Sequence, residues 1–527
     1  LKIRNGICSA AVGGKSQGAA SKREEQMKGK RILLGMLMAT SVVTTGYAQA
    51  SKDVTVVLDE EVDLVEPCMA TRSNIGRIIL QNVSETLTEL DVRSDKGLMP
   101  RLAEKWEESQ PGTWRFHLRK DAKFSDGSAF DAADVKHSIE RAMSDKISCE
   151  TPRYFGDTKI EAKVVDDNTI DITATPAQPI LPLLMTLVTI VPSETPIEFT
   201  RQPIGTGPYK LTEWKAGQSI TLERRDDYWG TAPAVTKATY VFRADPAVRA
   251  AMVAAGEADL ATNISELDAT DPKMDFSYLN SETFYMRVDT SIKPLDDVRV
   301  RKALNMALDR DAFIGTLLPK GAVKAVAMVP PSTLGWNSDV KPLPFDPEGA
   351  KKLLEEAKAD GVAVDTPITI VGRTNNFPNV VEVLEAAQQM FEAVGFKTKL
   401  QMYEVAEFEK QYSKPYPENR GPQLVAAQHD NSRGDPVFSM YFKYDSKGRQ
   451  SGISDPKVDQ MIADATAATG DKRTEDWKKV IAYLYNDVVA DVMMFHMVGF
   501  ARVNPRIDFT PTIATNSQLQ LSEIGFK

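Results

Sequence analysis

The apolar residues of this chain change their period several times, and those changes sketch its elements. Residues 54–58 alternate with polar neighbours, the two-residue period of a half-buried strand. Residues 75–90 then carry apolar positions at helical spacing, and 114–120 return to strand alternation. A Ser/Asp/Gly turn at 124–128 precedes Asp131, which reads as the N-cap of a helix reaching about Met143. Asp134, three residues on, completes a weak capping box. Pro203-Ile204-Gly205-Thr206-Gly207-Pro208 forms a rigid turn into two alternating runs, 209–214 and 219–223, which predict a hairpin. Because Pro208 directly follows Gly207 and no helix opens there, the glycines are not a dinucleotide-binding loop.

In the later half, residues 284–288 read as a strand and 298–308 as an amphipathic helix. Asp346-Pro347-Glu348 starts another helix, over 350–357, with Pro in the first turn and acidic residues at the positive end of the dipole. Residues 367–371 predict a strand and 372–378 a loop. Asn379 is expected to cap a helix with apolar positions Val380, Val383, Leu384, Ala387, Met390, Phe391 and Val394, closed by Gly395. Strands at 397–403 and 423–427 follow, so the order is β-α-β and a parallel sheet is expected.

In such sheets ligands bind beyond the carboxyl ends of the strands, where Arg373, Asn375, His429 and Asp430 fall. The planar fork of Arg373, close to a helix N-terminus, suits a carboxylate or phosphate. Asp430, ahead of a turn containing Ser432, either accepts ligand hydroxyls or closes an Asx-turn. The earlier half offers the loop 60–74, with Glu61 inside it and Arg72-Ser73-Asn74 ahead of a helix whose free amides can face an anion. Tyr154 can cover a sugar or side chain with its ring while its hydroxyl orients the ligand.

The N-terminal region is an address and not part of the fold. Lys28, Lys30 and Arg31 form a basic segment, 32–43 an apolar one, and Ala48-Gln49-Ala50 a cleavage signal. Residues 1–26 precede Met27 and read as an over-extended start, 27–50 as a signal peptide. Position 51 is Ser, not Cys, so the mature product is expected free in the periplasm without a lipid anchor. Removing the eight Lys/Arg and two Asp/Glu of residues 1–50 takes the formal charge from −9 to about −15, against nucleic acid or an anionic membrane as partner. Cys68 and Cys149 remain in the mature chain and either pair as a disulfide or stay as buried thiols. His117, His137, His429 and His496 lie far apart in sequence, so neither a metal site nor another cofactor is expected. No nucleophile-elbow or zinc-protease motif is present, so the chain does not read as an enzyme. Asp430 with His496 is the acid/base pair a hydrolase reading would need.

Four blocks resemble the periplasmic solute-binding proteins for peptides, opines and nickel, the receptors of ABC importers. They are 203–230 (PIGTGPY to YWG), 114–143 (WRFHLRK, then FSDGSAFDAADV), 284–313 (FYMRVDTSIKPLDDVRVRKALNMALDRDAF) and 330–350. The resemblance implies an α/β, two-lobed type II binding protein with an extra subdomain in the first lobe. It implies a first lobe over 51–288 (extra subdomain about 96–205), a second over 289–500, and a return to the first over 501–527. Hinges are then expected near 288–291 and 497–503. Arg373 matches an arginine that holds the ligand's anionic group in dipeptide-binding relatives, and Tyr154 a tyrosine that touches ligand. Asp430 matches an aspartate that receives a peptide ammonium, but Ser432 and Arg433 are inserted into the following turn. Arg287 stands where the family often has a small or amide residue, either as a cation near the hinge or as a surface arginine on an edge strand. The 428–436 segment, QHDNSRGDP, resembles the opine branch of the family. That implies a sugar-phosphodiester opine of agrocinopine type as ligand, an agrocin-like antibiotic as a stowaway, a cognate ABC permease as partner and a monomer. A di- or oligopeptide ligand is the alternative, followed by a periplasmic phosphodiesterase.

Overall fold

Two strands, Asp275–Val288 and Asp491–Val503, are 14 and 13 residues long. At about 3.3 Å per residue each runs more than 40 Å, too far for one layer of a small lobe. In the computed structural model they pair antiparallel along their length and form the middle of an 11-stranded sheet. The residues described are 51–62, 65–69, 74–91, 97–149, 151–156, 158–331, 333–374, 376–513, 515 and 519–527. The leader, Arg72, Ser73 and Asn375 lie outside them, and of Asn74 and Arg153 only the backbone is described.

On one side of the long pair the sheet continues through Leu260–Ala261, Asp53–Leu58, Lys237–Phe242, Ser219–Arg224 and Tyr209–Lys215. On the other side come Gln423–Asp430, Ile368–Arg373 and Thr398–Tyr403, parallel to one another as the β-α-β order predicts. The neighbours change at an irregularity. Asp275 to Leu279 pair with Arg502 to Val498, then the register slips, and pairing resumes at Thr283 with His496. From Glu282 onward the strand gains Asp430 to Leu424 as its other neighbour. Bulges generally bend a strand and raise its local twist, and this one lies where the sheet passes from the strands of one lobe to those of the other.

In the second lobe, alternation sends side chains to two separate cores. Ile368, Ile370, Leu424 and Ala426 pack with Val383, Leu384 and Phe391 of the helix Val380–Ala393. Val371, Val425 and Ala427 face the opposite way, toward Phe408 and Tyr412 of the helix Val405–Tyr412. Asn379 does not cap as expected: its backbone is left-handed, its side chain makes no capping bond, and its Nδ2 donates to Leu317 O at 3.2 Å. Asn tolerates that conformation, so the residue turns the chain rather than satisfying the helix amides.

The hairpin forms as its pattern indicates, and the glycines before it allow close backbone contact. A Cβ at Gly205 would lie 2.1 Å from the Val83 carbonyl oxygen, and one at Gly207 2.7 Å from it. Gly207 N and Tyr209 N donate to Val83 O and Asn82 O at 2.9 and 3.0 Å. Buried Arg225 ties the same turn to Lys123 O and Phe124 O at 2.9 and 3.0 Å. These contacts also correct the helix expected over 75–90. It spans only Asn74–Leu80, and Thr88–Asp91 is a strand paired with Gly97–Pro100. The carbonyls of Asn82 and Val83 bond the glycine turn, and Asn82 Nδ2 bonds Ile78 O at 2.8 Å, so the helix cannot continue.

The extra subdomain is an antiparallel sheet in the order Ala103–Gln110, Thr113–Leu118, Thr169–Thr175, Lys159–Asp166. Beside it lies the helix Ala132–Ala142, with the full capping box: Asp131 Oδ1 accepts Ala133 N at 2.7 Å, and Asp134 Oδ2 accepts Asp131 N at 2.9 Å. The loop after residue 60 is fastened by covalent and ionic means together. Cys68 and Cys149 are disulfide-bonded with Cα atoms 5.2 Å apart. Arg141 meets Glu66 through two bonds of 2.6 and 3.0 Å, both side chains essentially inaccessible to solvent. Glu66 also accepts Cys68 N and Thr200 N, and Arg141 donates to Pro196 O and Glu198 O, so the pair is fully hydrogen-bonded. Arg141→Leu is expected to destabilise the protein by about 3 to 5 kcal/mol by stranding the Glu66 carboxylate. A lower urea midpoint at unchanged m value would report it.

Candidate functional site

Arg373 and Asp430 are the final residues of neighbouring parallel strands, Asp430 reaching three residues farther along, since the register pairs Val371 with Val425. Glu282, just past the bulge, stands opposite Asp430 in the register. From the first lobe, Asp59 and Glu60 follow directly on the strand Asp53–Leu58 and approach the same place. Arg373 Nη2 lies 3.7 Å from Glu60 Oε1, a loose contact across the cleft. Arg373 Nε is buried with no hydrogen-bond partner among the described residues, as is Asp59 Oδ1. The other Asp59 oxygen accepts Asn263 Nδ2 at 2.9 Å.

The cleft floor therefore holds one guanidinium among four carboxyl groups. Burial pushes the Glu282 carboxyl up to about 8, Asp430 and Asp59 add to the rise, and Arg373 opposes it. At neutral pH Glu282 is mostly protonated, so it can donate a hydrogen bond as well as accept one.

Asp430 is engaged by its own turn. Its Oδ1 accepts Ser281 Oγ at 2.5 Å and Ser432 N at 2.9 Å, and its Oδ2 accepts Ser432 Oγ at 2.8 Å. This is an Asx-turn, made possible by the inserted Ser432. The inserted Arg433 lies over Tyr154 and Phe438, 5.6 and 5.5 Å from their ring centroids, within cation–π range. Tyr154 itself packs edge-on against Phe438 and Phe442 of the helix Val437–Tyr444 at 5.9 and 6.0 Å, a direct contact between the lobes.

The other expected residues are placed differently. His429 meets Ser439 Oγ through Nε2 and stacks edge-on near Phe442, so it packs within the second lobe. Glu61 accepts the Gly217 amide at the tip of the hairpin and belongs to scaffold contacts. Asn74 opens a helix whose N-terminal neighbours lie outside the described residues. The sequence reading missed Asp59 and Glu282. Asp59 follows an alternating strand and was legible as a strand-end residue. Glu282 was not, because the bulge that turns it into the cleft leaves no local signature.

The pair Asp430 and His496 does not make an acid/base couple. His496 Nδ1 meets Thr283 Oγ1 at 2.9 Å, and burial lowers the imidazole to about 4, so it stays neutral. Arg287 is neither a surface residue nor on an edge strand. It is buried on a central strand and donates to Tyr412 O at 2.6 Å, Tyr416 Oη at 2.7 Å and Gln411 O at 3.1 Å. Among the described residues no group of three or more His, Cys, Asp or Glu is arranged to hold a metal ion. No helix of the described residues is long and apolar enough to cross a membrane.

Comparison with known proteins agrees with this architecture. The chain is 30% identical to the dipeptide-binding protein of Escherichia coli K12 over 450 residues, covering 78% of this chain and 83% of that protein. It superposes on NikA from Brucella suis, solved with Fe(III)-EDTA, with TM-score 0.77, 24% identity and coverage of 90% and 100% of the two chains. It also superposes on the periplasmic binding protein AgaA from A. tumefaciens R10, solved with agropinic acid, with TM-score 0.76, 20% identity and coverage of 90% and 99%. The sequence model of the bacterial extracellular solute-binding proteins, family 5 (Middle), matches residues 97–451. The chain therefore belongs to the family 5 bacterial solute-binding proteins, the periplasmic receptors that supply ABC importers.

Proposed function

We propose that this receptor captures a sugar-phosphodiester opine of agrocinopine type and delivers it, by closure of the two lobes, to its cognate permease. The observation that carries the reading is the combination of Arg373 and Asp430. Arg373 has a buried donor without a partner among the described residues, and both Asp430 oxygens are taken up by Ser281 and Ser432. An anionic group fits the first, and in the second the Ser281 and Ser432 bonds leave a peptide ammonium fewer acceptor sites on Asp430. A singly charged phosphodiester needs one or two cations, which suits Arg373, with Arg433 on the wall over Tyr154 and Phe438 as a second. Sugar hydroxyls can donate to Asp59 and exchange hydrogen bonds with Glu282, and Tyr154 closes the wall.

Asp59, Glu60 and Glu282 favour a second reading, a dipeptide whose ammonium lies among these carboxylates, in keeping with the dipeptide-binding protein of Escherichia coli among the relatives. The pairing pattern supports a hinge at the bulge 279–283 and at 496–498, earlier in the first strand than 288–291, since Val288 already pairs with Leu424 of the second lobe. Closure removes water from the cleft, which strengthens its few charge-assisted bonds. We take residues 27–50 as the cleaved leader that brings the chain to the periplasm.

Arg373→Ala is expected to weaken opine binding at least tenfold, the loss of one charged hydrogen bond of about 1.5 to 3 kcal/mol, measured by calorimetry. Unchanged affinity would remove the anion assignment. The pH dependence separates the two readings. An anion beside Glu282 binds best to its neutral form, so affinity should fall as pH rises through about 8. An ammonium binds best to the carboxylate, so affinity should rise over the same interval. Glu282→Gln should flatten either profile.

A further inference from the structure

On the sheet face covered by the helix Val405–Tyr412, the edge strand Thr398–Tyr403 borders a cavity of about 580 Å³. Thr369, Lys399, Gln401, Gln411, Arg420 and Gln423 line it. Its wall is the strand face, which at one end reaches Tyr403, the register partner of Arg373. The polar groups around it are incompletely matched. Gln423 is 6% exposed and donates Nε2 to Gln411 Oε1 at 3.2 Å, but its own Oε1 is buried without a partner among the described residues. Arg420 has a side chain 7% exposed, pairs through Nη2 with Asp289, and stacks 3.7 Å from the Tyr416 ring centroid. Its Nη1 is likewise buried and unpartnered among the described residues, as is Nε of Arg287 behind it.

Two cations, Arg420 and the exposed Lys399, thus line the cavity, with Arg287 beyond Tyr416 and Asp289 paired to Arg420, in a protein of formal charge −9. Burial and the neighbouring Arg287 lower the Arg420 guanidinium to about 10, although Asp289 pairs with its other end. An oxyanion would offset that positive field and accept the spare guanidinium donor. The Gln423 amide can turn to present its NH₂ if the Gln411 amide turns with it, so that their mutual hydrogen bond is kept in the reverse sense.

We propose that this cavity is a second ligand site, separate from the cleft between the lobes, for a small oxyanion held by Arg420 and Lys399. The inference does not rest on the opine reading. Inorganic phosphate and citrate, titrated separately into the intact protein and into its Arg373→Ala variant, test it by calorimetry. Saturable binding of either anion is expected to persist in Arg373→Ala and to weaken about tenfold in Lys399→Ala and in Arg420→Gln. Which anion binds distinguishes a phosphate from a carboxylate source. Lys399 is exposed, so its variant keeps the test readable if loss of the Arg420–Asp289 pair unfolds the protein. Absence of saturable binding by both anions overturns the proposal, as does binding lost in Arg373→Ala and unchanged in Lys399→Ala.

Discussion

Every part of this molecule depends on two antiparallel strands that pass from one lobe to the other. Asp275–Val288 and Asp491–Val503 carry the main-chain ladder across the boundary, and each lobe is completed by strands added to their two flanks. A ladder is stiff against stretching, but a bulge gives it a place to bend and twist. The pair shifts register twice, and at the first shift, between Leu279 and Thr283, Glu282 stands opposite Asp430 and Ser281 Oγ bonds the Asp430 carboxylate.

The electrostatics of the cleft follow from that geometry. Four carboxyl groups from three chain segments approach one guanidinium, and the protein responds by keeping one of them largely protonated. A neutral Glu282 lowers the repulsion an anion would meet, and the Asx-turn partners of Asp430 disperse its charge over nearby donors. The chain as a whole is acidic, so recognition of an anion must be local and short-ranged. The loop after residue 60 contributes by being held in place. The Cys68–Cys149 bond and the Glu66–Arg141 pair anchor it to the extra subdomain, so the first-lobe wall of the cleft rests on a fixed base.

Much of the scaffold was legible in local pattern. The hairpin, the Asp131 capping box and the parallel β-α-β order each depend on residues within a few positions of one another, and each forms. Arg373 and Asp430 were placed at strand ends for the same reason, and the strands run on to include them. Where the reading erred, distant chain had intervened. The helix after residue 74 stops at Leu80 because carbonyls that would continue it bond a glycine turn more than a hundred residues later. Asn379 was read as a cap from its type, and an αL backbone took that role away.

The sequence by itself determined the receptor family, the alternating elements and the strand-end arginine, because periodicity, turn chemistry and spacing are local properties. Only the tertiary structure decided which charges share the cleft. The adjacent Asp59 and Glu60, Glu282 and Asp430 come from three separate segments, and no spacing along the chain encodes their meeting. The same holds for Arg287, Arg420 and Lys399 on the second lobe. Charge–charge energies depend on distance in space and on burial, and both are set only when sheet register and the bulge bring distant segments together.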